Sequence, residues 1–235
     1  MPSLWDSITV DGGEMHCYVS APDGAGPHPA VVVIQHAGGV DEFVRSMADR
    51  FAEVGYVAVT PDLYHREDPN TSDDPLTRMG RLRDASIVAD VSAAIDHGKT
   101  LANVRPDRIG ITGYCMGGRV TYLMAAHSSD FRAAVVCWGG NIMAPWGDGS
   151  APFDLTDRIS CPILGLFGED DANPAPADVT KLDAELTRLG KTHEFLSYAG
   201  AGHAFMNAGR PSYREEAAKD AWQKTVAWFD RYLKA

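Results

Sequence analysis

The 235-residue chain predicts an α/β fold in which a mainly parallel central sheet is flanked by helices and an antiparallel hairpin occupies the N-terminal edge. Three observations carry this. Apolar, β-branched runs recur along the chain, stretches of helical period separate them, and the first two short runs are joined by a turn sequence instead. Strands alternating with helices form a parallel sheet covered on both faces, with the loops at the strands' carboxyl ends building the site.

The elements can be taken in chain order. Residues 7–10 and 15–20, joined through Asp11-Gly12-Gly13-Glu14, read as the edge hairpin. Buried strands are expected at 30–34, 56–60, 108–112, 133–138 and 162–167, and a more mixed one at 193–198. Phe43, Met47, Phe51 and Val54 are spaced by four, four and three, which makes one apolar stripe of an amphipathic helix. Residues 119–126 are helix-tolerant and largely apolar. Ala218, Trp222, Val226, Phe229 and Leu233 repeat the stripe near the C-terminus, where it reads as core packing. Two loops, 64–75 and 139–152, are candidate pocket walls or plain solvent-exposed connections.

Composition sets bounds on function. Hydrophobic residues make up 45% and charged residues 23%, a globular balance, and the length suits one α/β domain spanning 1–235. The net charge of −11 opposes binding to nucleic acid or anionic membranes through a general basic surface. No run approaches the roughly 18 apolar residues of a membrane span. The opening MPSLWDSITVDGGEM has neither a basic start nor an apolar stretch, so the expected location is cytoplasmic. Cys17, Cys115, Cys137 and Cys161 form no CxxC pair, which argues for reduced thiols rather than disulfides or a zinc knuckle.

The most informative stretch is Gly113-Tyr114-Cys115-Met116-Gly117-Gly118, placed where a buried strand should hand over to a helix. A sharp strand-to-helix turn forces its apical residue into strained backbone angles and brings the flanking backbones together, which glycines on either side permit. Cys115 would then stand over a helix N-terminus, whose free N–H groups favour a thiolate. The alternatives are a buried structural cysteine or a glycine-rich phosphate cradle, and neither GxxxxGK[ST] nor GxGxxG occurs here.

A cysteine nucleophile needs a base, and the base needs an orienting acceptor. Asp171 comes after the 162–167 strand and His203 after the 193–198 strand, so Cys115, Asp171 and His203 stand in the chain order of α/β-hydrolase triads. Asp170 competes with its neighbour for the acid's role. Gln35-His36-Ala37-Gly38-Gly39 sits after the 30–34 strand, where such enzymes carry an oxyanion turn, and the N–H groups of Ala37 and Met116 are the expected donors.

These residues resemble the dienelactone hydrolase family, carboxymethylenebutenolidases of the α/β-hydrolase fold. The match runs along nearly the whole chain, through VVVIQ, GYVAVTPDLYHR, RPDRIGITGYCMGG, GEDD and GAGHAF. The resemblance implies a monomeric, cofactor-free and metal-free enzyme that hydrolyses a small-molecule ester or lactone through Cys115, Asp171 and His203, and it favours Asp171 over Asp170. Two departures stand out. Family members often carry a glutamate after VVVIQ, implicated in switching the cysteine between thiol and thiolate, but here the residue is His36. It could accept the thiol proton, stabilise a thiolate as imidazolium, or only shape the pocket. The family also grips a substrate carboxylate with arginines, one of them four residues after the catalytic histidine, where this chain has Asn207. Arg81, with Arg78 one turn earlier, and Arg210 remain as candidate cations. A less charged substrate than dienelactone is the expectation, and a ligand-binding or thiol redox-sensing homologue with little turnover is the rival.

Overall fold

The computed structural model describes residues 3–235; residues 1 and 2, which begin the expected 1–235 domain, lie outside the described residues. Eight strands form one sheet: β1 Ser3–Val10, β2 Gly13–Ser20, β3 His28–Ile34, β4 Val57–Pro61, β5 Val104–Tyr114, β6 Phe131–Cys137, β7 Ile163–Gly168 and β8 His193–Tyr198. Their spatial order is β1-β2-β4-β3-β5-β6-β7-β8. From β4 onward every neighbouring pair is parallel, and only β1/β2 and β2/β4 are antiparallel.

The hairpin is longer and tighter than the sequence suggests. β1 begins at Ser3, paired with Ser20, and Val10 pairs with Gly13, so the connection shrinks to Asp11-Gly12. Both turn residues have positive φ, 50° and 79°, the conformation a two-residue hairpin turn demands and the reason Gly12 fits. Ser3, Leu4 and Trp5 at the start of β1 are all exposed, so this end of the edge strand buries no apolar run. β5 likewise extends back to Val104 through Pro106, which a hydrophobic-run criterion passes over.

Among the described residues there are six α-helices: α1 Glu42–Glu53, α2 Pro75–Arg81, α3 Asp84–Thr100, α4 Met116–His127, α5 Pro176–Arg188 and α6 Glu215–Phe229; α2 buries no residue, and the other five pack on the sheet. Along β3, Val31 and Val33 pack with Met47 and Phe51 of α1 and Phe229 of α6, while Val32 and Ile34 pack with Ile87 and Val91 of α3 and Val120 of α4. Strict alternation between two dry faces explains why β3 is apolar throughout. The C-terminal stripe differs in detail from expectation. α6 ends at Phe229, and residues 230–234 widen into a π-type turn that keeps Leu233 buried while Asp230 accepts from Tyr56 at 2.6 Å and pairs with Lys234 at 2.8 Å. Within α6 itself the buried face runs through Ala218, Ala221, Thr225, Trp228 and Phe229, so Trp222 and Val226 flank it half-buried.

The crossing that positions the site is the β5-to-α4 turn. A Cβ on Gly117 would lie 2.5 Å from the Ile34 carbonyl oxygen and 2.6 Å from that of Gln35, so the first turn of α4 rests directly on the end of β3. Gly117→Ala must push these backbones apart, at a cost of about 3 kcal/mol. Its thermal midpoint should therefore fall by about 5–10 °C, read by circular dichroism; an unchanged midpoint would show that the contact yields freely.

Candidate active site

Cys115 occupies the apex between β5 and α4 with φ 56° and ψ −115°, a conformation that costs a non-glycine residue about 1–3 kcal/mol. The apex is fixed by its own backbone: Cys115 N donates to Cys137 O at 3.1 Å, and Cys115 O accepts from Gly118 N at 2.9 Å. Its side chain makes no cap for α4, which leaves the half-buried sulfur facing a cavity at the helix N-terminus.

Asp171 and His203 come from the loops after β7 and β8. His203 Nδ1 donates to Asp171 Oδ2 at 2.8 Å. The other carboxylate oxygen of Asp171 accepts from Asn173 N at 2.9 Å, so both oxygens are held, and the side chain is only 2% exposed. Asp170 is exposed and its backbone N–H serves Ala201 O, which separates the two candidate acids. His203 and Cys115 line the same cavity and interact: burial works against the imidazolium, but the hydrogen bond to Asp171 and the nearby Cys115 sulfur carry the His203 pKa from 6.5 up to about 10.

The turn after β3 stands opposite. Ala37 N–H donates to no acceptor among the described residues, and Met116 is the first residue of α4, where an N–H has no intrahelical partner. His36 is locked inside this turn. Gly38 N–H donates to its Nδ1 at 3.0 Å, so the ring hydrogen is on Nε2, which donates to Asp41 Oδ2 at 2.8 Å. The neutral ring has no nitrogen left to take a thiol proton, and of the three roles open to His36 the geometry retains only shaping the wall.

The cavity measures about 630 Å³ and is largely apolar, with Phe43, Tyr114, Trp138, Pro75 and Leu76 on its walls. Of the candidate anchors, Asn207 and Arg210 line it. Arg81 does not: its guanidinium is held by Asp73 and lies 3.5 Å from Glu67, because the loop before α2 supplies acids that capture it. Arg78 also lies off the cavity, bonded to Glu67 at 2.6 Å with its guanidinium 4.1 Å over the Tyr64 ring. The 64–75 loop supplies a wall through Asp74 and Pro75, whereas 139–152 supplies none. In that second loop Trp146 stacks on Arg119 at 3.9 Å, and Arg119, buried in α4, grips Asp84 at 2.6 and 3.0 Å and the carbonyls of Asn141 and Ala144. Sequence reasoning overlooked Trp138 and Leu76. Trp138 stood at the carboxyl end of a buried strand, where sites form, but Leu76 carried no signal.

Among the described residues no group of side chains could hold a metal ion, and no helix is long and apolar enough to cross a membrane. The raised pKa of His203 has a consequence for stability. Between pH 6.5 and about 10 the folded imidazole keeps a proton that the unfolded imidazole releases, so the contribution of His203 to stability is fully present below 6.5 and is lost as pH rises through this window. Urea unfolding across pH 6–10 should show that decline in the wild type and a flatter profile in His203→Gln. Equal slopes would mean that the imidazolium is not held.

The sequence model of the Dienelactone hydrolase family matches residues 15–233. A "Putative carboxymethylenebutenolidase" of Methylorubrum extorquens is 34% identical over 96% of this chain and 79% of its own length, and one of Escherichia coli K12 is 37% identical over 96% and 86%. The crystal structure of a "Putative Dienelactone Hydrolase" from Klebsiella pneumoniae superposes with a TM-score of 0.91 at 36% identity, covering 98% of this chain and 99% of that one. A dienelactone hydrolase-like promiscuous phosphotriesterase from metagenomic libraries shares the fold, with a TM-score of 0.82 at 21% identity over 98% of both chains. This chain belongs to the dienelactone hydrolase family, ester- and lactone-cleaving enzymes of the α/β-hydrolase fold.

Proposed function

We propose that this chain hydrolyses a small, uncharged ester or lactone through a Cys115, His203, Asp171 triad and a thioester intermediate. The observation that carries the reading is convergence: a strained cysteine, an imidazole held by a buried carboxylate and the unclaimed Ala37 N–H meet at one apolar cavity, and Met116, whose N–H has no intrahelical partner, directly follows that cysteine. The Cys115 thiolate adds to the substrate carbonyl, and the Ala37 and Met116 N–H groups hold the oxyanion that forms. The tetrahedral species collapses as the His203 imidazolium gives its proton to the departing alkoxide, leaving a thioester on Cys115. His203, now neutral, takes a proton from water; the hydroxide adds to the thioester carbonyl, and expulsion of the sulfur releases the acid and restores the ion pair. Thiolate, imidazole and backbone donors supply each group these steps use.

Substrate charge is set by the walls. Apart from the His203 imidazolium, Arg210 is the one arginine or lysine lining the cavity among the described residues, Asp74 lines it too, and Asp41 and Glu42 border the adjoining groove. With Arg81 neutralised by Asp73 and Glu67, a two-arginine carboxylate clamp is not assembled.

Cys115→Ala and His203→Ala should each lower kcat/KM by about 10³-fold or more on p-nitrophenyl esters. Intact mass during turnover should show the acyl group on Cys115 alone. Full activity in either variant would refute the triad, and peroxide oxidation of Cys115 without ester turnover would install the redox sensor in its place. A neutral ester should also be turned over with a higher kcat/KM than a matched ester carrying an acyl-side carboxylate; the reverse order would restore an anionic substrate.

A further inference from the structure

Behind the turn that carries Ala37 lies one side chain that reaches both proposed oxyanion residues. Tyr64, in the loop after β4, is 3% exposed. Its hydroxyl donates to the Ala37 carbonyl at 2.9 Å, and the same oxygen lies 3.7 Å from Met116 Sδ. The ring is held from the side by the Arg78 guanidinium. The adjoining backbone is pinned as well: Leu63 N donates to the Gln35 side-chain oxygen at 3.1 Å and Tyr64 N to Asp62 Oδ1 at 2.9 Å. Tyr64 is not part of the cavity wall, so its action on substrate is indirect.

An oxyanion site lowers the barrier only when its donors are already aimed at the point where charge will develop. Ala37 sits on a short turn whose internal bonds are Gly39 N to His36 O at 2.9 Å, on the peptide that carries the Ala37 N–H, and Gly38 N to His36 Nδ1, on the peptide that carries the Ala37 carbonyl; both run within the turn, so neither restrains it against another segment of the fold. The Tyr64 hydroxyl supplies that restraint. It ties the turn after β3 to the loop after β4, and through the Met116 contact it registers both against the first turn of α4.

We propose that Tyr64 is a positioning residue of the oxyanion site, whose O–H clamps the Ala37 carbonyl and seats Met116 so that the two N–H groups converge on the developing negative charge. The inference rests on the reading of Ala37 and Met116 as donors. Because the charge is present in the transition state and not in bound substrate, loss of the clamp acts on kcat and spares KM.

The test compares wild type and Tyr64→Phe in two reactions on the same samples: hydrolysis of a neutral p-nitrophenyl ester, and alkylation of Cys115 by iodoacetamide followed by intact mass. Alkylation displaces iodide at a saturated carbon and builds no oxyanion, so it reports the thiol and the integrity of the fold alone. The expected result is a fall in kcat of about 10-fold, less than the 10²-fold or more of a lost donor, with KM within about twofold and the alkylation rate unchanged. An unchanged kcat would overturn the inference. So would a parallel fall of hydrolysis and alkylation, which would place Tyr64 in support of the thiol or of folding. Turnover that persists in Cys115→Ala would overturn the hydrolytic reading and this inference with it, whereas the first two outcomes leave that reading intact.

Discussion

The contact on which the structure depends is the seat of the first turn of α4 on the carboxyl end of β3. Gly117 meets the Ile34 and Gln35 carbonyls with no room for a side chain. This closeness fixes three things together: the strained angles of Cys115, the direction of the α4 axis, and the distance between α4's free N–H groups and the turn that holds Ala37. Burial of α4 offsets the strain at its start. Every residue of α4 from Met116 to Ala126 is buried, and a helix enclosed on all sides cannot relax its first turn without losing that packing. Arg119 adds a lock, because a guanidinium buried in α4 must stay with Asp84 and the Asn141 and Ala144 carbonyls or bear an uncompensated charge.

The same seat explains which parts of the molecule were legible in the sequence. Strands buried on both faces announce themselves as apolar runs, so β3, β4, β6 and β7 could be placed to within a residue or two; β8, although an edge strand, could be placed at its observed bounds, His193–Tyr198, from its mixed run. Edge strands and helix ends obey local pairing instead. The first residues of β1 are set by their register with β2, and the end of α6 by Asp230 meeting Tyr56 and Lys234. Tyr56 lies 174 residues from Asp230 in sequence, so no local pattern announces that partner.

For the site, Cys115, Asp171 and His203 could be singled out because each comes after a strand and their chain order is diagnostic. The pocket walls could not. Arg81 had the right chemistry and helical position, but whether a guanidinium serves a ligand or a neighbouring acid depends on where Asp73 and Glu67 end up. Trp146 falls in the 139–152 loop, open in the sequence as a pocket wall or a plain connection, and is the stacking partner of Arg119. Tyr64 was visible only as part of a loop after a strand, since its role comes from a contact with the Ala37 carbonyl, 27 residues earlier.

His36 shows how a single substitution redistributes chemistry within a retained frame. A carboxylate at this position could accept a proton from the thiol. The imidazole cannot, because Gly38 N–H takes its one acceptor nitrogen and Asp41 takes its N–H. Asp41 is in turn occupied by the Val44 N–H as the cap of α1, so the whole unit is a closed circuit of hydrogen bonds belonging to the turn and helix rather than to the sulfur. In the proposed mechanism thiol activation therefore falls to His203 alone. The surroundings of His203 suit that burden: against the opposing effect of burial, Asp171 and Cys115 hold the imidazolium to about pH 10, so its proton stays beside the sulfur across the neutral range. An imidazolium held beside the sulfur is the acid that the first step of the proposed mechanism consumes, and it stands ready without a separate switch at position 36.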